Sequence, residues 1–321
     1  MKISVVIPVR NEEDSIRPLL DSLLNQTLRP AEIVITDGGS TDATVAVISE
    51  CMQDGAPIRL IRSGPALPGR SRNLAAAQAS NEWIALIDAG VRPELNWLES
   101  LAKRAQQENE VDVVYGSFEP ETDTLFKLCA VMAYVAPPIE IDGKLIRSRS
   151  VASLLMKRSV WEAVGGFPEN LRSAEDLLFM NKIEQANFRI SYAPDAMVHW
   201  QVHSNAWQTF KRFVTYARHN MRAGLWRQWQ AAIFERYALL LVSALPVFWF
   251  GVQWLLITLL LWLSLLVARA AVAIWRNRGC YPSSIFENVA RILVLVPLIG
   301  MLDAATIIGT VQWAVKDELG L

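Results

Sequence analysis

The chain has 321 residues, of which 52% are hydrophobic and 20% charged, and its formal net charge at pH 7 is −1. This apolar composition excludes an intrinsically disordered chain, and it argues against a wholly soluble protein because soluble domains carry about 25% charged residues. The three cysteines (Cys51, Cys129 and Cys280) form no Cys-x-x-Cys pair, so the sequence predicts neither a disulfide framework nor a cysteine-built metal site.

Charge and tryptophan are unevenly divided along the chain. Residues 1–200 contain 20 basic and 27 acidic residues, whereas residues 201–321 contain 11 basic and 5 acidic residues. Nine of the twelve tryptophans lie at Trp200 or beyond. Basic residues, tryptophans and long uncharged runs together are typical of a membrane-associated segment. Nucleic acid would not explain the uncharged runs, so we expect no nucleic-acid partner.

Strands and helices alternate in the first half of the chain. The predicted strands cover residues 1–8, 31–36, 58–61, 83–87, 111–115, 151–156 and 189–192, and the predicted helices cover residues 11–26 (with Asn11 as the N-cap), 41–52, 70–79, 94–107 and 176–185. Residues 125–146 interrupt the pattern and are predicted to be irregular. This alternation predicts an open α/β sheet that is mostly parallel, in which ligands bind at the carboxyl ends of the strands.

Polar residues follow three of these predicted strands, in the segments 8–12, 37–42 and 88–90. The pair Gly38-Gly39 allows the backbone to approach a ligand closely, and the following helix offers N–H groups to an anion. Neither a Walker loop nor a Gly-x-Gly-x-x-Gly motif is present, which excludes the ordinary P-loop and dinucleotide sites. Asp88, followed by two small residues, suits a divalent cation that bridges a diphosphate.

Taken in order, these motifs resemble those of the family 2 glycosyltransferases with the GT-A fold, in their membrane-anchored bacterial type, over about residues 1–205. The motifs are ISVVIPVRNEE (3–13), EIVITDGGSTDAT (32–44), GRSRN (69–73), Asp88-Ala89-Gly90 in the place of the family's DxD, GGFPE (165–169) with Glu175-Asp176, and His199. The third DxD position is Gly90 rather than aspartate. The QxxRW motif of processive synthases is absent, which favours transfer of a single sugar.

The resemblance implies a role for each motif residue. The residues expected to bind the nucleotide sugar, a UDP- or GDP-sugar, are Pro8, Arg10, Asn11, Glu12, Asp37, Gly39, Arg70, Arg72, Asn73 and Asp88. Asp37 would contact the base, and Arg70 or Arg72 would help to stabilise the leaving diphosphate. Asp88 and His199 would hold Mg²⁺ or Mn²⁺. Glu175 and Asp176 would be catalytic, with Asp176 as the general base for an acceptor hydroxyl.

The second half of the chain predicts a membrane region. The predicted parts are a GT-A domain at 1–204, basic amphipathic interfacial helices at 205–236, a transmembrane hairpin at about 237–275, a cytoplasmic linker at 276–291 and a third apolar segment at about 292–315. A single long tilted helix is the alternative to the hairpin. Because basic residues flank the hairpin on both sides, we expect a multi-pass protein of the inner (plasma) membrane with its catalytic domain in the cytoplasm.

Three functions follow from these observations. The leading hypothesis is an inverting glycosyltransferase that moves one sugar from a nucleotide sugar to a membrane-associated, lipid-linked hydroxyl acceptor. The first alternative is a polyprenyl-phosphate sugar synthase, whose acceptor is the lipid phosphate itself and needs no base. The second alternative, motivated by Gly90, is a non-catalytic membrane scaffold with a degenerate transferase domain.

Overall fold

The computed structural model describes residues 1–53, 55–108, 110–141, 143–147 and 149–319, and it contains two compact units. Met1–Glu121 and Pro138–Gln201 form the first unit, and Thr122–Pro137 together with the chain from Val202 onwards forms the second. The predicted domain at 1–204 therefore matches the first unit except for residues 122–137 and 202–204.

The elements are numbered along the whole chain. The strands are β1 (Ile3–Val9), β2 (Glu32–Asp37), β3 (Ile58–Arg62), β4 (Trp83–Leu86), β5 (Val91–Pro93), β6 (Val113–Pro120), β7 (Ile139–Ile141), β8 (Lys144–Ile146), β9 (Leu154–Lys157) and β10 (Ile190–Trp200). The helices are α1 (Ile16–Leu24), α2 (Thr44–Gln53), α3 (Pro68–Gln78), α4 (Trp97–Gln107), α5 (Leu125–Tyr134), α6 (Arg158–Ala163), α7 (Glu175–Gln185), α8 (Ala206–Arg222), α9 (Trp226–Trp229), α10 (Ala231–Ala244), α11 (Val247–Phe250), α12 (Trp254–Asn277) and α13 (Ile285–Trp313).

The first unit contains an eight-stranded sheet in the order β3-β2-β1-β4-β9-β6-β10-β5. The pairs β1–β2, β1–β4, β2–β3 and β6–β10 are parallel, whereas β9 and β5 run antiparallel to their neighbours. The mostly parallel α/β sheet is thus confirmed. Because Val9, Asp37 and Arg62 are paired in register, the carboxyl ends of β1, β2 and β3 meet at one edge.

Side chains alternate between the two faces of this sheet, and both faces are buried. Val5 and Ile7 of β1 belong to one hydrophobic cluster, which also contains Trp97 of α4. Val6, between them, belongs to a second cluster with Phe179 of α7. A parallel sheet covered by helices on both faces reads as a nearly continuous apolar run, as in β1. The two layers of helices fix the strand ends that carry the polar motifs.

Several predicted boundaries were wrong, and for three of them the contacts show the reason. Asn11 does not cap a helix, since α1 begins at Ile16 and the backbone φ of Asn11 is 56°. The predicted helix at 94–107 begins at Trp97, because the residues before it form β5 against the end of β10. The strand predicted at 189–192 extends through Trp200, because it pairs with β6 along most of its length, with one shift in register.

The second unit contains three helical segments that are long and apolar enough to cross a membrane. They are Ala231–Phe250, Trp254–Asn277 and Ile285–Glu318, with mean hydropathies of 1.6, 2.3 and 2.2. Gly251, with a φ of 82°, lies in the break between the first two. The indole of Trp254 and the hydroxyl of Thr258 both donate to the carbonyl of Ser243, at 2.8 and 3.2 Å. These bonds join α10 to α12 next to the break.

Helix α5 belongs to the second unit, although the sequence predicts an irregular segment there. Its residues are strongly apolar, and Cys129 is fully buried. The Cys129 thiol donates to the carbonyl of Arg291 over 3.8 Å, and the ring of Tyr134 lies 4.9 Å from that of Phe213. A ten-residue apolar helix needs a partner face, and α13 and α8 supply it.

Helix α8, within the predicted interfacial zone, packs along α13. Gly309 permits close approach, because a Cβ there would collide with the carbonyl of Val214. Arg218 also donates two hydrogen bonds of 2.8 Å to Asp317. The remaining surface of α8 is basic and aromatic, as at Trp207, which is 62% exposed. One face of α8 is therefore fixed by α13, and another stays available to solvent or lipid.

Candidate active site

The loops that follow β1 and β2 are joined by hydrogen bonds. The main-chain N–H of Asn11 donates to the Ser40 hydroxyl at 2.9 Å, and the Asn11 side chain accepts from the N–H of Thr41 at 2.8 Å. The N–H of Glu12 donates to the Thr44 hydroxyl at 2.7 Å. The left-handed backbone of Asn11 makes this exchange possible, since asparagine tolerates a positive φ better than most residues. The first two motifs therefore form one surface.

Asp37 lies at the end of β2, beside this surface. It is only 5% exposed, and one carboxylate oxygen accepts from the N–H of Ser40 at 3.0 Å. Within the described part of the chain, its other carboxylate oxygen has no hydrogen-bond partner. Gly38 is required for packing, because a Cβ there would lie 2.9 Å from the carbonyl oxygen of Ala66. Gly39 has a φ of 84°, which favours glycine.

Arg72 joins three of the sequence motifs. Its guanidinium donates to Asp88 Oδ1 at 2.7 Å and to Glu175 Oε1 at 2.8 Å. The guanidinium carbon lies 5.4 Å from the centre of the Phe167 ring, and that ring stacks on Phe179 at 3.8 Å. The arginine and Glu175 side chains are 6% and 5% exposed, whereas Asp88 is 38% exposed. A buried cation thus holds one buried and one accessible carboxylate.

Asn73, the last residue of the GRSRN segment, is occupied by protein contacts. Its amide nitrogen donates to the carbonyl of Phe167 and to Glu169 Oε1, both at 2.9 Å. Its oxygen accepts from the indole of Trp161 at 3.0 Å and from the N–H of Phe167 at 2.9 Å. Three of these bonds tie α3 to the GGFPE loop, and the bond from Trp161 ties it to α6. Asn73 therefore contributes to the site by holding that loop in place.

The carboxylates near Arg72 are electrostatically unusual. Burial raises the pKa of Glu175 and of Asp176 above their ordinary values, against the opposing charge of Arg72. The charge of Asp88 adds to the shift at Asp176. Although burial opposes a charged guanidinium, the charges of Asp88 and Glu175 raise the pKa of Arg72, so it stays protonated. A raised carboxyl pKa in a polar cluster is a common mark of a functional site.

Helix α7 begins at Glu175 from a strained backbone position. Ala174, the residue before it, has a φ of 69°, in the left-handed region that alanine rarely adopts. Asp176 Oδ1 accepts from the N–H of Leu177 at 2.8 Å, which fixes its carboxylate at the first turn. Among the described residues, Glu175 Oε2 and Arg72 Nε are buried without hydrogen-bond partners. Backbone strain and unpaired buried polar atoms cluster at functional sites.

Of the two predicted metal ligands, Asp88 lies in the cluster around Arg72. Asp88 is accessible, and a Cβ built on Gly90 would meet no atom within 4 Å, so the space beside Asp88 is open. His199 lies on β10, where its Nε2 is 3.3 Å from Glu94 Oε1. No group of three His, Cys, Asp or Glu residues suited to a metal occurs in the described parts of the chain. A cation here would use Asp88 and donor phosphates, as Mg²⁺ often does.

The remaining predicted residues lie at the rim. Pro8 is half-buried, Arg10 and Arg70 are exposed, and Glu12 is half-buried. The position of the Phe167 ring beneath Arg72 was not predicted from the sequence, although the GGFPE motif contains this residue. The sequence signal that could have pointed to Phe167 is an aromatic residue within a polar loop.

Comparison with known proteins relates the chain to glycosyltransferases. Residues 4–134 match the family model described as Glycosyl transferase family 2. Over 212 residues the chain is 30% identical to the poly(ribitol-phosphate) beta-glucosyltransferase of Bacillus spizizenii, covering 61% of this chain and 31% of that protein. Over 226 residues it is 26% identical to the O-antigen chain rhamnosyltransferase RfbN of Salmonella typhimurium, covering 66% and 70%. The chain thus spans about a third of the length of the first relative.

Solved structures share the fold. The mannosyltransferase PcManGT from Pyrobaculum calidifontis, in complex with GDP-Man and Mn²⁺, matches with a TM-score of 0.55 at 21% identity, covering 97% of this chain and 86% of that one. S. aureus TarS 1–349 in complex with UDP matches with a TM-score of 0.51 at 20% identity, covering 100% and 92%. The predicted GT-A fold is confirmed.

Proposed function

We propose that the protein, whose residues 4–134 match the family 2 glycosyltransferases, transfers one sugar from a nucleotide sugar to a membrane-associated acceptor hydroxyl, with inversion at the anomeric carbon. The observation that carries the proposal is the bridge from Arg72 to Asp88 and Glu175. It gathers a fixed positive charge, an accessible carboxylate, the buried carboxyl of Glu175 and the half-buried carboxyl of Asp176 at the carboxyl edge of the sheet. These are the groups that glycosyl transfer from a diphosphate requires.

The reaction is a single displacement. The acceptor oxygen attacks the anomeric carbon, a new carbon–oxygen bond forms, and the bond to the donor phosphate breaks. The nucleoside diphosphate leaves with that electron pair, and Asp176 takes the proton of the acceptor hydroxyl. Arg72 lies beside Asp88, where its positive charge lowers the cost of the negative charge on the leaving diphosphate.

A divalent cation, Mg²⁺ or Mn²⁺, would add positive charge at the diphosphate when bound. Asp88 would hold it, together with phosphate oxygens and water. His199, which carries the predicted second ligand, faces Glu94. The proposed donor is a UDP- or GDP-sugar, in line with the ligands named for the structural neighbours, UDP and GDP-Man.

The acceptor is proposed to be lipid-linked and held at the cytoplasmic face of the inner membrane. The three apolar helical segments support an integral membrane protein. The basic residues of α8 and α9, together with Arg276 at the end of α12 and Arg278 after it, favour a cytoplasmic position for those connections. A hydroxyl acceptor is preferred over a lipid phosphate because the carboxyl pair of Glu175 and Asp176, whose pKa values are raised, would supply a base.

The direct test is transfer by the full-length protein in liposomes that contain bacterial lipid extract. Each of a panel of radiolabelled UDP- and GDP-sugars would be supplied with Mg²⁺ or Mn²⁺. We expect release of the nucleoside diphosphate from one donor and passage of its label into the organic phase. If no donor binds or is consumed, a non-catalytic protein replaces the proposed enzyme.

Asp37 provides a test of the nucleotide site. Asp37→Asn keeps the oxygen that accepts from Ser40 but removes the charge, and hydrogen bonds to charged groups contribute about 1.5–3 kcal/mol. We therefore expect donor affinity to fall roughly 10- to 100-fold in calorimetry. Asp21→Asn, an exposed change on α1, is the matched control. An unchanged donor affinity in Asp37→Asn would exclude this residue from the nucleotide site.

The pH profile gives an independent prediction. A base must be unprotonated, so kcat/KM should rise with pH through the folded-state pKa of the Glu175–Asp176 pair. Burial raises the pKa of Asp176 above its ordinary value of 3.8, so the acidic limb should lie above pH 3.8. Initial rates at saturating cation across pH 4–8 would locate the limb. A rate that stays constant down to pH 4 would contradict a buried carboxyl base.

A further inference from the structure

Charged residues gather on the apolar helices of the second unit. Arg269 of α12 donates to both carboxylate oxygens of Asp303 on α13, one of the bonds measuring 2.9 Å. The hydroxyl of Tyr237 on α10 donates to the same carboxylate at 3.2 Å. Asp303 is 1% exposed. The aspartate is therefore paired with an arginine, and three helices contribute to one polar cluster.

Arg236 adds a second positive charge to this cluster. It precedes Tyr237 on α10 and is close enough to Arg269 and Asp303 for their charges to act on it. Its Nε is buried and, among the described residues, has no hydrogen-bond partner. Its neighbour Glu235 is exposed. Asp303 is already paired with Arg269, and among the described residues Arg236 makes no ion pair, although the charges of Asp303 and Glu235 both act on it. A charge without a close partner is costly in an apolar environment.

The cluster lies towards one end of the helical hairpin. Helices α10 and α12 are antiparallel, since Ser243 contacts Thr258 whereas Tyr237 contacts Trp262 further along α12. Arg236 lies about 7.5 Å along α10 from its first residue, and Arg269 lies about 12 Å from the last residue of α12. In a hydrocarbon core of about 30 Å, both would lie in its outer part.

Two features identify the anion that would complete this cluster. The guanidinium group presents parallel N–H donors that match phosphate oxygens. The side chain of Arg269 is 27% exposed and Arg236 is half-buried, so a ligand can reach both. A phosphate carried on a lipid chain can reach this depth without leaving the bilayer, whereas a free phosphate would lose its hydration on entering.

We propose that Arg236, together with Arg269, binds the phosphate or diphosphate of a lipid-linked acceptor. This inference rests on the proposed function and specifies its acceptor as a sugar joined to a lipid through phosphate. The phosphate is held at α10 and α12, while a hydroxyl of the attached sugar remains free to react.

The test uses the full-length protein in nanodiscs of zwitterionic phosphatidylcholine, with farnesyl diphosphate as the lipid probe and inorganic pyrophosphate as its soluble counterpart. Arg236→Gln should weaken farnesyl diphosphate binding at least about tenfold, as expected when a charge-assisted hydrogen bond is lost. Arg227→Gln, which removes the same charge from the exposed helix α9, should leave binding unchanged. Pyrophosphate should bind the wild-type protein at least about tenfold more weakly than farnesyl diphosphate, because it lacks the apolar chain.

Each outcome has a defined meaning. Equal farnesyl diphosphate affinity in Arg236→Gln and wild type would overturn the proposal, as would equal affinities for pyrophosphate and farnesyl diphosphate. A lower melting temperature in Arg236→Gln would also overturn it, because the Nε of Arg236 has no bond to lose among the described residues. Lipid binding without any sugar transfer would leave this site intact and refute the proposed function. If Arg236→Gln still transfers sugar and binds the lipid as the wild type does, the proposed function would stand and this site would be refuted.

Discussion

Replacing Asp176 by asparagine should lower kcat by about 10²- to 10⁴-fold while donor affinity stays close to that of the wild type. Asparagine keeps the size of the side chain and the oxygen that accepts from the N–H of Leu177, so the first turn of α7 should persist. It cannot accept a proton from the acceptor hydroxyl. The loss should therefore fall on the chemical step and leave binding intact.

Measuring kcat for transfer and the donor Kd on the same samples separates these effects. Glu184→Gln, an exposed carboxylate near the other end of α7, is the matched control and should retain full activity. The acidic limb of the pH profile should also disappear in Asp176→Asn. If turnover survives within a few-fold and donor binding is normal, the acceptor is not a hydroxyl that needs this base. A lipid phosphate, which is already anionic, then becomes the better acceptor.

The core of the sheet was predictable because its signals are local. The apolar run of β1 and the apolar positions of α1 can be recognised without knowledge of any partner. The edge strand β5 was not predictable, since Val91–Pro93 is too short to show a pattern and forms only by pairing with β10. Asn11 was misread because its side chain suits a helix cap, whereas contacts with the following loop decide its conformation.

The candidate site was predictable as a set of positions but not as a cluster. Polar residues after apolar strands placed Asp37 and Asp88 at the carboxyl edge, as the rule for α/β sheets requires. The bond from Arg72 to Glu175 joins residues 103 positions apart, and no local pattern encodes it. The raised pKa values at Glu175 and Asp176 follow from burial, which depends on that assembly.

In the second unit, too, the helices could be predicted from the sequence but their packing could not. Long apolar runs identify α12 and α13 because hydrophobicity over about 20 residues is a strong signal. Helix α5 is shorter and lies far from them along the chain, so its place on α13 depends on a contact such as that of Cys129 with Arg291. Small residues such as Gly309 permit the close approach of α8, but the need for a small residue can be recognised only when the packing of the helices is known.

Arg72→Met should produce the largest loss of stability that we predict. Methionine fills much of the arginine's volume but leaves Glu175, which is 5% exposed, without its cation. Removing one partner of a buried ion pair typically costs about 3–5 kcal/mol, because the remaining charge stays buried. Urea unfolding of the full-length protein in detergent, followed by pulse proteolysis of the first unit, should show a midpoint lower by about 1–3 M.

The pH dependence and a second substitution show whether the unpaired carboxyl of Glu175 causes the loss of stability in Arg72→Met. Burial already raises the pKa of Glu175, and loss of Arg72 removes the main opposing charge, so its pKa should rise further. The folded variant then binds a proton more readily than the unfolded chain, and its deficit should shrink as pH falls from 7 towards 4.5. Arg72→Met combined with Glu175→Gln should recover part of the lost stability at pH 7.

Arg17→Met, which breaks an exposed pair with Glu50, should cost less than about 1 kcal/mol. A deficit in Arg72→Met that is independent of pH and unaffected by Glu175→Gln would mean that lost contacts with Phe167, rather than the stranded charge, set the stability.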